Sequence, residues 1–179
     1  MMKSRPDFDL RLQKQFTPMP DGAVAQIRLD LQRVLDSGCR EEELHKFVAQ
    51  NVYLLFEQYP SLYILAVSKP KLGHELVCDF CLHAEGNFDY WSLIELERAD
   101  DRLFTKAGDP TQRLSHALRQ VHEWQSWIDN HTEYFRQTYV SRFHWRPMVT
   151  FSIVIGRRAD LGDRDIRMLQ ELNESFSGD

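Results

Sequence analysis

Apolar residues recur at helical spacing through Val24, Ile27, Leu31, Val34 and Leu35 and stop at Ser37-Gly38, so the pattern predicts an amphipathic helix over 22–36. A second helix is predicted from Glu41, with Leu44, Phe47 and Val48 on one face, and Asn51 would interrupt that face and break it. A short helical piece is expected over 52–58. The period then changes. Stretches 62–67, 75–82 and 90–98 read as three consecutive antiparallel strands, separated by Lys69-Pro70-Lys71-Leu72-Gly73 and by Glu85-Gly86-Asn87. Asp109 as N-cap and Pro110 at the first helical position predict a helix whose apolar positions run from Leu114 through Ala117, Val121 and Trp124 to Ile128, ending near Asn130. After a polar linker, residues 148–155 form a nearly continuous apolar run, the pattern of a strand buried on both faces. A last amphipathic helix is expected over 163–173. A helix between two sheet strands makes the final strand parallel to a neighbour, with that helix packed on the sheet. The fold class expected is mixed α/β.

At 179 residues, 42% hydrophobic and 27% charged, the composition is that of one globular domain, and disordered or collagenous classes fit poorly. Lys plus Arg number 22 against 27 Asp plus Glu, a net charge of -5, which excludes a uniformly basic DNA coater and requires any nucleic-acid contact to be local. Runs 61–67 and 149–155 are too short for a bilayer span. Charges are scattered through the first twenty residues, where a signal peptide would be apolar, so a cytoplasmic location is expected. The three cysteines suggest no disulfide framework. Cys78-Asp79-Phe80-Cys81 looks like half a zinc site, but on a continuous strand the two thiols would point to opposite faces.

The candidate chemistry is acidic. Alternation puts Trp91, Leu93, Glu95 and Glu97 on one face of the third strand, and Asp79 on the corresponding face of the second with Glu75 and Val77. Reflection about Asn87 sets Asp79 opposite Glu95 and Val77 opposite Glu97. Carboxylates at ~4 Å in an effective dielectric of about 20 repel by about 4 kcal/mol per pair, a large fraction of a domain's stability. Protonation, a neighbouring Arg or Lys, or a hard divalent cation would relieve the repulsion. Acids spread over a solvated face and paired with Arg98, Arg102 or Lys106 would also avoid it.

The order of these elements, Asp on one strand, Glu-x-Glu on the next, then a helix carrying Gln120 and a final strand, resembles the PD-(D/E)XK nuclease core. More closely, Glu43-Leu44-His45-Lys46-Phe47, Leu93-Ile94-Glu95-Leu96-Glu97-Arg98, Leu103-Phe104-Thr105-Lys106-Ala107-Gly108-Asp109-Pro110 and Ile155-Gly156-Arg157-Arg158 resemble the nuclease domain of the Shedu antiphage defence family. The resemblance implies a restriction-endonuclease-like fold over 41–179, either a shortened member of the family or a fragment cut at its C-terminal end, with 1–40 as an arm and packing helix. It implies cleavage of DNA in phage defence by an oligomer using Mg²⁺ or Mn²⁺. Asp79 and Glu95 correspond to the family's metal-binding acids, with Glu97 and Glu43 as further ligands. The motif's usual lysine is replaced by Glu97, which leaves Lys106 or Arg98 to supply a cation. Arg98, Lys106, Gln120, Arg157 and Arg158 are the candidate nucleic-acid contacts.

For several of these residues a plainer role also fits: a solvated first-turn glutamate at 43, a surface glutamine at 120, and dispersed solubilising charge at Lys106, Arg113, Arg119, Arg157 and Arg158. Two rival functions follow. One is a catalytically degenerate nuclease fold that binds nucleic acid or a partner protein. The other is an interaction domain built on Trp124 and Trp127, residues that more often serve a core or interface than base stacking.

Overall fold

The computed structural model describes residues 21–55, 63–74, 76–85, 89–139 and 148–176. Helix α1 (Asp21–Asp36) and helix α2 (Glu41–Gln50) form where the apolar spacing placed them. Asn51 ends α2 because its side chain donates to the Phe47 carbonyl at 2.9 Å, satisfying an acceptor the helix leaves open. A 3₁₀ turn, Val52–Leu55, follows, and the rest of the predicted piece over 52–58 lies outside the described residues.

The central sheet contains β1 (Tyr63–Ser68), β4 (Phe80–Glu85), β5 (Asp89–Leu96) and β6 (Met148–Val154), in that spatial order. β1, β4 and β5 are mutually antiparallel neighbours, and β6 is parallel to β5. Phe80 pairs with Ile94 and Glu85 with Asp89, the register expected from reflection about Asn87, which itself lies outside the described residues. Helix α3 (Gln112–Asn130) makes the crossover from β5 to β6 and packs on one face of the sheet. On that face Leu93 and Cys81 meet Val121, Trp124 and Ile128. On the opposite face Phe80, Leu82, Ile94 and Leu96 meet Leu44 and Val48 of α2, with α1 outside them. Helix α5 (Asp163–Phe176) closes a smaller cluster around Leu103, Phe104 and Leu114. The architecture is thus a mixed sheet between helical layers, broadly that of a restriction-endonuclease-like fold.

Local chemistry overrides the sequence pattern in several places. The expected strand over 75–82 is broken by a bend at Asp79. Leu76–Val77 (β3) pairs with Lys71–Leu72 (β2) in a separate hairpin, so Val77 faces Lys71 and not Glu97. Glu75 lies outside the described residues. The bend also resets the alternation, and Cys78 and Cys81 therefore belong to the same buried cluster instead of opposite faces. Helix α3 starts two residues later than expected. Thr111 is its N-cap, accepting from the Leu114 N–H, whereas Pro110 bridges to Phe104. The expected polar linker contains helix α4 (Thr132–Tyr139), whose Phe135 is buried against the α3 side. β6 is not buried on both faces. It is the outer strand of the described sheet, and Met148, Thr150, Ser152 and Val154 are exposed because the α1–α2 layer does not extend over it.

The hairpin β2–β3 turns through Gly73, whose φ is +66°, and a Cβ there would lie 2.9 Å from Trp127 Cζ2. Gly73→Ala should therefore lose about 1–2 kcal/mol from the left-handed backbone alone, seen as a lower urea midpoint. A midpoint equal to that of the parent would show that the turn refolds around the methyl.

Candidate functional site

β5 is central, so its two faces are both covered, and continuing its alternation past Leu96 carries Glu95 and Glu97 toward α3. The residues are 7% and 5% exposed. The Glu97 N–H extends the parallel pairing by donating to the Val154 carbonyl at 2.8 Å. Asp79 stands at the bend before β4, fixed by its carbonyl, which accepts from the Lys69 N–H at 2.8 Å. Its carboxylate accepts from the Leu96 N–H at 2.9 Å. The other oxygen lies 3.7 Å from Nε2 of His45, a buried α2 residue stacked on Phe80.

Each acid of the cluster thus has a partner within the protein. Gln120, one turn before Trp124 on α3, stands against Glu95 closely enough to oppose the rise of its pKa, while its own Oε1 is buried without a hydrogen-bond partner. Glu97 is held by Arg113, whose Nη1 lies 3.3 Å from Glu97 and 3.3 Å from Glu41. Arg113 Nε is also 3.3 Å from Asp101. Glu41, Glu95, Glu97, Gln112, Arg113, His116 and Gln120 line a cleft of about 420 Å³ between α2, α3 and the end of β5.

Burial pushes the Glu95 carboxyl up to about 8, with repulsion from Asp79 and then Glu97 acting in the same direction and Gln120 opposing. Burial also raises Glu97, helped by Glu41 and opposed by Arg113. The cluster is therefore under the electrostatic load expected from the strand alternation. A proton, an arginine and amide donors carry that load here.

Asp79, Glu95, Glu97 and Gln120 come together as the sequence pattern suggested. Other candidates lie elsewhere. Glu43 accepts from the Arg40 N–H at 2.8 Å and caps the start of α2, facing solvent. Lys106 is exposed and lines a second cavity of about 590 Å³, not the cleft of Glu41, Glu95 and Glu97, and the other walls of this cavity include Asp101, Arg157, Asp160 and Arg164. Arg98 is engaged by Asp100 at 2.9 and 2.6 Å. Arg157 pairs with Asp36 at 2.8 Å and donates to the Leu35 carbonyl, tying the Gly156-Arg157-Arg158 stretch to α1. Arg158 is exposed at the start of a 3₁₀ turn.

Two site residues escaped the sequence pattern. Glu41, not Glu43, is the α2 acid in the cleft. The signal was present: Glu41 lies three and four residues before the buried Leu44 and His45, on the inward face, whereas Glu43 is rotated away from it. For Arg113 the sequence offers only dispersed solubilising charge, although its spacing with His116 and Gln120 puts all three on one edge of α3.

Among the described residues, no group of three or more His, Cys, Asp or Glu side chains is arranged to hold a metal ion. The reason is visible in the contacts: a backbone N–H occupies an oxygen of Asp79, and a guanidinium stands against Glu97. As arranged, these side chains do not fit the Mg²⁺ or Mn²⁺ that the nuclease resemblance implies.

A family model described as the C-terminal part of the Shedu protein SduA matches residues 39–177. The chain belongs to the Shedu family. A search of curated proteins gave no match. In this Shedu domain the match covers α2, the whole central sheet, the crossover helix and α5, so it includes every residue of the acid cleft. Among the described residues no helix is long and apolar enough to cross a membrane.

Proposed function

We propose that this Shedu domain is a catalytically degenerate nuclease fold that acts by binding, with nucleic acid as its ligand. The observation that carries the reading is that Asp79, Glu95 and Glu97 are already met by the Leu96 N–H, Gln120 and Arg113, which leaves no converging set of free oxygens for a divalent ion. The family supplies the ligand class. Contacts to DNA would be made by exposed cations such as Lys106 and Arg158, whose attraction to phosphates is independent of sequence and screened by salt.

A second reading, a metal-dependent DNA endonuclease, is supported by one specific feature. Asp79 and Glu97 both raise Glu95, a repulsion that a cation bound between them would relieve. One set of measurements separates the two: cleavage of linear and circular DNA with Mg²⁺, Mn²⁺ or EDTA, alongside fluorescence anisotropy of labelled DNA across a salt series. The expected result is binding that weakens with salt, is indifferent to EDTA, and is unaccompanied by cleavage. Cleavage that EDTA abolishes and Asp79→Asn removes would establish the endonuclease. Absence of DNA binding at low salt would favour a partner protein as the ligand. Light scattering on the same sample tests the homo-oligomer that the family implies.

A further inference from the structure

The Arg113 guanidinium is shared among acids from separate parts of the chain: Glu41 at the start of α2, Glu97 just beyond β5, and Asp101 in the loop that follows. All three contacts are 3.3 Å, longer than the roughly 2.7–2.9 Å of an optimised charge-assisted pair. This is the geometry of one cation balanced between carboxylates, not of a fork closed on one partner. The Asp101 oxygen that faces Arg113 forms no aligned hydrogen bond, and Glu95 lies beside Glu97 with a raised pKa. The acids therefore outnumber the cation that holds them. The same Nη1 atom stands between Glu41 and Glu97, two oxygens from opposite walls of the cleft.

We propose that Arg113 is the resident counter-cation of this cluster and the residue that closes it to divalent metal ions. The inference rests on the reading that the wild-type cluster holds no metal. It explains why acids on one face of a strand pair coexist with Glu97 at the position where the family motif has lysine. The positive charge comes from the crossover helix, on a side chain that reaches acids a lysine on β5 would meet only singly. A divalent ion would have to displace the guanidinium to reach Glu41 and Glu97. Its oxygens would then need to close by about 1 Å from the arginine distances to the ~2.1 Å of Mg²⁺ coordination. With Arg113 neutralised, that closure is favoured by the unbalanced negative charge.

The test uses the full chain and Mn²⁺ alone, with binding read from loss of the free-ion EPR signal and from thermal unfolding. Arg113→Gln should bind Mn²⁺ at least about tenfold more tightly than wild type and show a saturable rise in Tm, because it removes a full positive charge a few ångströms from the acids. Arg113→Lys keeps the charge and should remain near wild type. If Arg113→Gln does not fold in metal-free buffer, refolding with Mn²⁺ should recover it, since the ion replaces the lost charge. A folded Arg113→Gln protein without a Mn²⁺ response overturns the inference, as does failure of Mn²⁺ to rescue an unfolded one. An Arg113→Lys response equal to that of Arg113→Gln also overturns it. A silent wild type beside a silent Arg113→Gln leaves the binding reading intact and removes only the role of Arg113, whereas saturable Mn²⁺ binding by wild type removes both.

Discussion

Replacing Glu95 by glutamine should stabilise the domain at pH 8 by on the order of 3–4 kcal/mol and change little at pH 4, because the carboxyl titrates near 8 in the fold and near the ordinary carboxylate value when unfolded. The sign follows from proton counts. Between those two values the folded state retains a proton that the unfolded state has released, so stability is full below the unfolded pKa and declines as pH rises toward 8. Glutamine presents a neutral group beside Asp79, Glu97 and Gln120 at every pH and removes the part of the slope that Glu95 contributes, leaving that of the raised Glu97. Urea unfolding at pH 5, 6.5 and 8 measures it. Parallel stability curves for parent and Glu95→Gln would mean that the glutamate is ionised in the fold and its repulsion is relieved by some other cation.

Trp124→Ala should cost about 3–5 kcal/mol, lowering Tm by roughly 6–20 °C for a chain of this size. Trp124 is 1% exposed and lies between Val121 and Ile128 of the same helix face, packed beneath Leu93 and Cys81. The space left would open beneath the crossover helix on which Arg113 and Gln120 are mounted. Trp127→Ala removes a ring that is only partly buried, against the Gly73 turn, and should cost clearly less. Equal losses for the two would indicate that α3 is anchored chiefly through its end near the β2–β3 hairpin.

The strands and the acid cluster were legible because both follow from alternation. Once Leu93 and Trp91 must be buried, Glu95 and Glu97 have only one face on which to lie, and reflection about Asn87 brings Asp79 alongside. What alternation cannot show is a break in itself. The bend at Asp79 depends on its carbonyl and carboxylate binding Lys69 and Leu96, residues remote in sequence, and it moved Cys78 onto the face of Cys81. The partners of the acids were similarly hidden. Whether Lys106 or Arg113 reaches Glu97 depends on how the loop after β5 folds, and that loop turns Lys106 outward toward α5 while α3 starts with Arg113 over the strand end. The exposure of β6 could not be read either, because an apolar run looks alike whether a helical layer stops short of it or covers it.

The long crossover also orders events in time. β1, β4 and β5 are joined by short connections, whereas β6 can pair with β5 only after the chain from Leu96 to Met148 has been looped back, an entropic cost that non-local parallel pairing must meet late in folding. Until α3 and β6 dock, Glu95 and Glu97 remain hydrated and repel one another weakly. The desolvation that raises Glu95 therefore comes with this late docking, and whatever part of it follows the transition state speeds unfolding more than it slows folding.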